Sequence, residues 1–196
     1  MRLPARPDVI ADRFVGVTVL IADIIGFAEL APAVPPERLS VLLDEIFAGF
    51  DGLAKAHGLR KTKTLGNSYM ATGGIPVALD DHAGRTAQLS LEMLESLEHF
   101  NVLGGHALQM RIGIATGSVV AGVIGRRMYV YDVWGDAVNA ACRMESHGVA
   151  GRVQVAESTR HLLGESFVLE ERSAPEAEGD GDLKTWFVTG RSRAHA

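Results

Sequence analysis

Short apolar runs alternate with amphipathic segments along the chain, and this pattern predicts strands that alternate with helices. Residues 14–22, FVGVTVLIA, form a continuous β-branched run of strand length. A continuous run, rather than an alternating one, indicates a strand that is covered on both faces. Amphipathic helices are predicted at residues 35–57 and 81–100, where large apolar residues recur every three or four positions.

The remaining apolar runs are shorter and are separated by turn residues. They predict strands at residues 59–65, 68–72, 108–117, 118–125, 167–171 and 182–191, and a short strand followed by a helix within residues 154–163. Residues 108–117 and 118–125 are interpreted as two strands that meet at Thr116-Gly117. Because several strands are joined by tight turns, we expect a mixed β-sheet with helices mainly on one face, an α+β fold similar to a ferredoxin-like sandwich.

Composition narrows the class of protein. The chain has 196 residues, 47% of them hydrophobic, and a formal net charge of -5, so we expect one folded domain without the basic footprint of a nucleic-acid or anionic-membrane binder. The single cysteine, Cys142, forms no internal disulfide, which favours a reducing cytoplasmic setting. It is predicted to lie on the inward side of its helix.

No apolar run reaches the roughly 20 residues that span a bilayer, so we expect no membrane contact in this segment. Residues 1–13 contain prolines and show little periodicity. They are interpreted as a linker from an upstream sensor or membrane module. Residues 14–190 are assigned to the folded domain and residues 191–196 to a C-terminal tail.

The stretch 126–144, RRMYVYDVWGDAVNAACRM, combines a strand pattern, a turn and a helix pattern. Asp132 lies near the end of the strand part, and a strand-to-helix corner that carries an acid is a natural place for a ligand. On the helix, Asn139 and Arg143 are four positions apart and share one face. The opposite face is apolar and contains Ala137, Val138, Ala141 and Met144. An ordinary solvated helix face has the same spacing, so the spacing alone leaves both interpretations open.

Asp23 directly follows the first predicted strand and precedes the turn sequence IIGF. An acid at the end of a buried strand can hold a cation while the amides of a glycine-containing turn donate to phosphate groups. An aspartate in such a position is also typical of a helix N-cap. Lys63, on the predicted strand 59–65, is by itself typical of a surface lysine.

Three segments carry a resemblance to a known family: YDVWGDAVNAACRMES, ADIIGF and KTLGNSYMATGG. They resemble the catalytic domains of class III nucleotidyl cyclases, most closely the adenylate cyclase branch, and the similarity spans residues 9–190. The fold that this resemblance implies agrees with the α+β sandwich predicted from the alternation of elements.

The resemblance implies a metal and phosphate site at the end of the first strand. Asp23 would ligate two divalent cations, Mg²⁺ or Mn²⁺, and the Ile24 carbonyl would help to bind one of them. Backbone amides at Gly26 and Phe27 would bind phosphate. Asn67 stands where the family places a second metal-binding aspartate. We therefore expect weaker binding of the cation that activates the nucleophile, low activity and a preference for Mn²⁺ over Mg²⁺.

The resemblance also assigns the base-reading and catalytic residues. Lys63 and Asp132 would read adenine, because N1 of adenine accepts a hydrogen bond and its 6-amino group donates one. Asn139 would orient the ribose, and Arg143 would stabilise charge on the reacting phosphate. Since guanine reverses the hydrogen-bonding pattern of adenine, Lys63 and Asp132 disfavour a guanylate cyclase.

The implied reaction converts ATP to 3′,5′-cyclic AMP and pyrophosphate. In this family the site lies between two catalytic domains, and this chain carries both sets of residues. The resemblance therefore implies a head-to-tail homodimer with two equivalent sites, in which a monomer is inactive.

A second function remains open, that of a catalytically silent domain that binds ATP and regulates by dimerising. Asn67 supports it, and so does the acidic segment 170–182, which reads EGDG around Asp180 where relatives often place a phosphate-binding lysine. If the chain is active, Arg126 or Arg127 would have to replace that lysine, or the cations alone would hold the triphosphate.

Overall fold

The computed structural model describes residues 11–30, 32, 34–124, 130–172 and 184–192. Within these ranges eight strands form one mixed sheet. The strands are β1 (Ala11–Ile25), β2 (Arg60–Leu65), β3 (Ser68–Gly73), β4 (Gln109–Ile124), β5 (Val130–Trp134), β6 (Val153–Ala156), β7 (Phe167–Arg172) and β8 (Thr185–Arg191). The helices are α1 (Phe27–Leu30), α2 (Pro36–Ala56), α3 (His82–Gly104), α4 (Asp136–Ser146) and α5 (Glu157–Leu163). No helix in the described ranges is both long and apolar enough to cross a membrane.

The sheet is built on the long antiparallel pair β1 and β4. The strand order is β2-β3-β1-β4-β6-β8-β7, and β5 pairs with β4 outside this path. Residues 112–114 of β4 pair in parallel with β6, whereas residues 120–124 of the same strand pair antiparallel with β5. The free edge of β4 is therefore divided between two strands, and β5 forms a separate extension of the sheet.

Side chains of β1 alternate between two apolar clusters, as expected for a strand with both faces covered. Leu20, Ala22 and Ile24 belong to the cluster that includes residues of α2, α3 and α5. Val17 and Ile21 belong to the cluster that includes residues of α4. Helices α1, α2, α3 and α5 thus cover one face and α4 covers the other, which confirms the predicted α+β architecture with helices mainly on one face.

Helix α4 lies unusually close to β4 because of Gly113. A Cβ atom at this position would lie 2.2 Å from the backbone nitrogen of Glu145 and 2.4 Å from the carbonyl oxygen of Ala141. Any other residue would force the helix away from the sheet. The glycine therefore brings the last turn of α4 beside the central strands, next to the end of β1 that carries Asp23.

The predicted break at Thr116-Gly117 is wrong, because β4 continues through both residues. Thr116 pairs with Thr18 and Gly117 pairs with Val17, so the ladder with β1 is unbroken at the predicted junction. The irregularity lies on the partner strand, where the register shifts between Phe14 and Val17. A threonine-glycine pair does not end a strand whose backbone groups remain paired.

The start of β1 and the end of β7 differ from the predicted boundaries of the linker and the acidic loop. β1 begins at Ala11, so residues 11–13 belong to the sheet, while residues 1–10 lie outside the described part of the chain. At the other end, Glu170–Arg172 belong to β7, and the remainder of the predicted acidic loop, residues 173–182, lies outside it as well.

His82, at the start of α3, should make stability depend on pH. Burial lowers the pKa of its imidazole from the ordinary 6.5, and the Asp81 carboxylate opposes this; its Nδ1 lies 2.7 Å from Thr18 Oγ1. As the pH falls, the unfolded chain therefore takes up this proton at a higher pH than the folded chain does. The free energy of unfolding should be at its maximum above about pH 6.5, and it should decrease as the pH falls from that value towards the lower pKa of the folded state.

Thermal unfolding between about pH 5 and pH 8 tests this prediction. His82→Gln should flatten the profile relative to the parent chain. His161→Gln is the matched control, since that side chain is 63% exposed, and it should leave the profile unchanged. An equally steep profile in His82→Gln would contradict the assignment.

Candidate active site

Asp23 lies at the end of β1 and is held by side chains from both neighbouring strands. Its Oδ1 accepts a hydrogen bond of 2.6 Å from Ser68 Oγ on β3, and its Oδ2 lies 3.3 Å from Arg111 Nη2 on β4. Both partners lie directly opposite Asp23 in the sheet register. The Asp23 side chain is 19% exposed, so its carboxylate is fixed but still reachable from solvent.

Asn67 lies beside the residue that follows Asp23. Its side-chain Nδ2 donates to the Ile24 carbonyl oxygen at 2.6 Å. The backbone carbonyl oxygen of Asn67 accepts a hydrogen bond of 3.2 Å from the Ile24 backbone nitrogen. The structure thus brings together all three predicted metal-site residues. It also places an N–H donor on the carbonyl that was predicted to bind a cation.

Arg111 connects Asp23 to helix α4. The same Nη2 atom that contacts Asp23 lies 3.1 Å from Glu145 Oε1. Burial raises the pKa of Glu145, the Arg111 guanidinium opposes this rise, and the Asp23 carboxylate adds to it. Arg111 Nε is buried and has no hydrogen-bond partner among the described residues. This guanidinium is therefore a fixed cation beside the predicted metal site, with one donor unused.

Lys63 and Asp132, which are 69 positions apart, form a salt bridge between β2 and β5. Lys63 Nζ donates to the two carboxylate oxygens of Asp132 at 2.7 and 2.9 Å. Asp132 Oδ1 also accepts from the Val133 backbone nitrogen at 2.7 Å, which fixes its orientation. The side chains of Lys63 and Asp132 are 28% and 27% exposed, so both charged groups remain accessible to solvent.

Helix α4 presents Asn139 and Arg143 on its exposed side while Ala137, Ala141 and Met144 are buried. The predicted division of this helix into two faces is correct. The prediction for Cys142 is wrong, because this cysteine is exposed. The face that packs on the sheet is narrow, since Gly113 lets the helix backbone itself approach β4, and Cys142 lies outside it.

The turn after β1 has a glycine in the left-handed region. Gly26 has a φ of 87°, a conformation that favours glycine. Phe27 begins the short helix α1, and its side chain packs against the larger apolar cluster. Both predicted phosphate-binding residues therefore offer backbone rather than side-chain groups. Arg126, Arg127 and Asp180 lie outside the described residues.

Three residues that contact the candidate site were not predicted from the sequence. Arg111 was the easiest to find, because it is a charged residue within the apolar run LQMRIGIATG. Ser68 and Glu145 gave no comparable signal, since a serine after a turn and a glutamate near a helix end are both common. Their contacts with Asp23 and Arg111 arise from the pairing of β1 with its neighbours and the packing of α4.

The donor set fits a divalent cation only in part. No three His, Cys, Asp or Glu side chains cluster in the described ranges in a way that could hold a metal ion. Asp23 and the Ile24 carbonyl are hard oxygen donors of the kind that Mg²⁺ and Mn²⁺ use together with substrate phosphates. Position 67 supplies an amide where the resemblance predicts a second carboxylate.

Comparison with known proteins gives the same family throughout. Residues 9–190 match the adenylate and guanylate cyclase catalytic domain. The chain is 42% identical over 194 residues to an adenylate cyclase of Mycobacterium tuberculosis, covering 99% of this chain and 44% of that protein. It is 36% identical over 182 residues to guanylate cyclase soluble subunit beta-2 of Rattus norvegicus, covering 92% of this chain and 27% of that protein.

A solved structure agrees with these sequence matches. The guanylate cyclase domain of RhGC from Catenaria anguillulae, in complex with GTP, superposes with a TM-score of 0.88 at 31% identity. The match covers 92% of this chain and 100% of the RhGC domain. The chain spans less than half the length of the two curated relatives, at 44% and 27%. On these matches and the fold they share, the chain belongs to the family of adenylate and guanylate cyclase catalytic domains.

Proposed function

We propose that this domain is an adenylate cyclase, which converts ATP to 3′,5′-cyclic AMP and pyrophosphate at the interface of a homodimer. The observation that carries the choice of adenine is the Lys63–Asp132 pair, with contacts of 2.7 and 2.9 Å. Relatives of both nucleotide specificities are similar to this chain, so the choice rests on the chemistry of these two side chains.

The pair offers the hydrogen-bonding groups that adenine needs. Lys63 can donate to N1 of adenine, while an Asp132 oxygen can accept from the 6-amino group. Guanine presents a donor at N1 and an acceptor at O6, so both contacts would be mispaired. Buried mispaired polar groups can reduce kcat/KM by a factor of about 10⁴. The existing salt bridge keeps both groups in place before the base arrives.

The reaction needs positioning and charge stabilisation more than covalent help from the protein. Bound Mg²⁺ or Mn²⁺ ions, two in this proposal, would supply Lewis-acid activation of the ribose hydroxyl and neutralise the phosphates. Asp23 and the Ile24 carbonyl would hold them, and Asn67 would contribute more weakly. Arg111 adds a fixed guanidinium beside Asp23, which suits it to contact the phosphates in place of the lysine that the acidic segment lacks.

Helix α4 would supply the groups that meet the transition state. Arg143 would stabilise negative charge at the α-phosphate, and Asn139 would orient the ribose so that its 3′-hydroxyl faces the phosphorus. Because α4 is packed closely on the sheet, the backbone that carries both side chains needs little reorganisation as charge develops. The exposed position of both side chains is compatible with a nucleotide bound outside this protomer's own core.

A homodimer is proposed because Asp23 and the Lys63–Asp132 pair have separate hydrogen-bond partners within one chain. No described hydrogen bond joins the Asp23 group to the Lys63–Asp132 pair. Exposed apolar side chains lie two positions from that pair on the same strands, and therefore on the same faces: Leu65 is 63% exposed, Val130 53% and Trp134 37%. Apolar side chains grouped around a polar site are typical of a protein interface. A second copy would cover them and bring its own Asp23 to the nucleotide.

The direct test is product formation. The purified chain should form cyclic AMP from ATP with Mn²⁺, and more slowly with Mg²⁺, while GTP should compete poorly. Cyclic GMP as the main product would contradict the adenine assignment. If ATP binds but no cyclic AMP forms, the second candidate, a silent ATP-binding domain that acts through dimerisation, is correct. The Asn67 hydrogen bond to the Ile24 carbonyl is the observation that favours that candidate.

Base choice gives a sharper prediction. Lys63→Glu combined with Asp132→Asn reverses the donors and acceptors, and it avoids the repulsion that Lys63→Glu alone would create beside Asp132. The ratio of kcat/KM for ATP to that for GTP should fall by a factor of about 10² or more. Lys61→Glu on the same strand is the control, since Lys61 pairs with Asp51 at 2.8 Å instead, and it should preserve the ratio. An unchanged ratio in the double variant would remove the pair from base recognition.

A further inference from the structure

Three oxygen atoms at the predicted cation site already have partners from the protein. The Ile24 carbonyl oxygen accepts from Asn67 Nδ2 at 2.6 Å, and Asp23 Oδ1 accepts from Ser68 Oγ at 2.6 Å. Asp23 Oδ2 lies 3.3 Å from Arg111 Nη2. The carboxylate oxygens of Asp23 and the carbonyl oxygen of Ile24, which would bind a divalent cation, therefore already face N–H or O–H donors.

The donation from Asn67 follows from its surroundings. With the amide reversed, its oxygen would lie 2.6 Å from the Ile24 carbonyl oxygen, and two acceptors at that separation repel each other. The backbone hydrogen bond between Ile24 and Asn67 holds the two residues together independently of the side chain. The amide is thus fixed where a cation would otherwise lie against the carbonyl.

Ser68 and Arg111 act on the carboxylate in the same way. Both lie opposite Asp23 in the sheet, so their positions are set by the ladders with β3 and β4 and not by flexible loops. Arg111 also provides positive charge next to the carboxylate. The electrostatic requirement of a partly buried acid is thereby met without a metal ion.

We infer that Asn67, Ser68 and Arg111 form an internal substitute for the metal, so that the chain is stable with this site free of cation and a cation must displace protein donors to bind. The inference rests on the proposed function only for the identity of the site. It concerns how strongly the site takes a cation, and it names Asn67 as the residue that sets this affinity.

The inference predicts opposite responses to removing and adding Mn²⁺. In Asn67→Asp, a carboxylate that cannot donate would face the Ile24 carbonyl oxygen and add negative charge beside Asp23. This variant should therefore melt at a lower temperature than the parent chain in EDTA. With Mn²⁺ it should regain that stability, and its affinity for Mn²⁺ should be about tenfold higher or more. The parent chain should gain little from Mn²⁺.

Thermal unfolding in EDTA and in Mn²⁺ measures the first effect, and the electron paramagnetic resonance signal of free Mn²⁺ measures the affinity. Asn101→Asp is the matched control. Asn101 also makes a side-chain amide bond to a carbonyl, Nδ2 to the Leu108 oxygen at 2.7 Å, but it lies at the end of α3. That variant should lose stability equally in EDTA and in Mn²⁺ and should bind Mn²⁺ like the parent chain.

Ser68→Ala gives a second route should Asn67→Asp fail to fold. Removing one donor from Asp23 should raise the affinity for Mn²⁺, whereas Ser40→Ala, which loses only an exposed hydrogen bond to Pro36, should not. Equal Mn²⁺ affinity in the parent chain, Asn67→Asp and Ser68→Ala would overturn the inference. A selective response to Mn²⁺ without any cyclic nucleotide product would support the inference and contradict the proposed function.

Discussion

Asp23→Ala and Arg143→Ala chains should each lose activity by a factor of about 10² or more when assayed alone, yet a mixture of the two should regain part of it. In a head-to-tail dimer, Asp23 of one copy and Arg143 of the other serve the same nucleotide. A heterodimer of the two variants therefore contains one intact site and one doubly damaged site. Random pairing of equal amounts should restore about a quarter of the parent activity.

This experiment separates a shared site from a site within one chain. If Asp23 and Arg143 acted within the same protomer, every chain in the mixture would be defective and no activity would return. The control is a mixture of Arg143→Ala with Asn139→Ala, two changes on helix α4. These remove residues of the same half of the site, so their heterodimer has both sites damaged and should stay inactive.

Asn67→Asp should raise the rate of cyclic AMP formation at least tenfold. The carboxylate would complete the oxygen donors that a second divalent cation needs, and it would remove the amide from the Ile24 carbonyl, where the parent chain has a hydrogen bond of 2.6 Å. The gain should be greater with Mg²⁺ than with Mn²⁺, because Mg²⁺ depends more strongly on a full set of well-placed oxygen ligands.

The measurement is the initial rate at saturating ATP with each metal, for the parent chain and the variant. Asn101→Asp carries the same chemical change at the end of α3 and should bring no gain. An unchanged rate in Asn67→Asp would show that position 67 does not limit the reaction. A rise in rate without tighter Mn²⁺ binding would keep the catalytic role of the position but place its effect after cation binding.

Much of the fold could be predicted because its elements are strongly patterned. The helix predicted at residues 35–57 is observed as Pro36–Ala56, and the strand predicted at 68–72 as Ser68–Gly73. In the helix the buried residues recur at the helical period, whereas the strand is buried almost throughout, and turn residues lie beside both elements. The division of α4 into an apolar face and an Asn139–Arg143 face was correct for the same reason.

The errors came where a local signal competed with a tertiary contact. Thr116-Gly117 resembles a turn, but β1 pairs with both residues and keeps the strand continuous. Cys142 falls at the margin of the apolar stripe, and the stripe is narrowed by the close approach of α4 at Gly113. Neither the partner strand nor the distance between helix and sheet is encoded within a short window of sequence.

The sequence alone determined the succession of strands and helices, because this depends on local composition and spacing, and the resemblance of three of its segments identified the family and the residues of the candidate site. Only the tertiary structure decided what those residues touch. It joined Lys63 to Asp132 across 69 positions, and it placed Ser68 and Arg111 on Asp23 and Asn67 on the Ile24 carbonyl. Such contacts depend on the register of strands that are distant in the chain, and a shift of one residue would turn the same side chains to the opposite face.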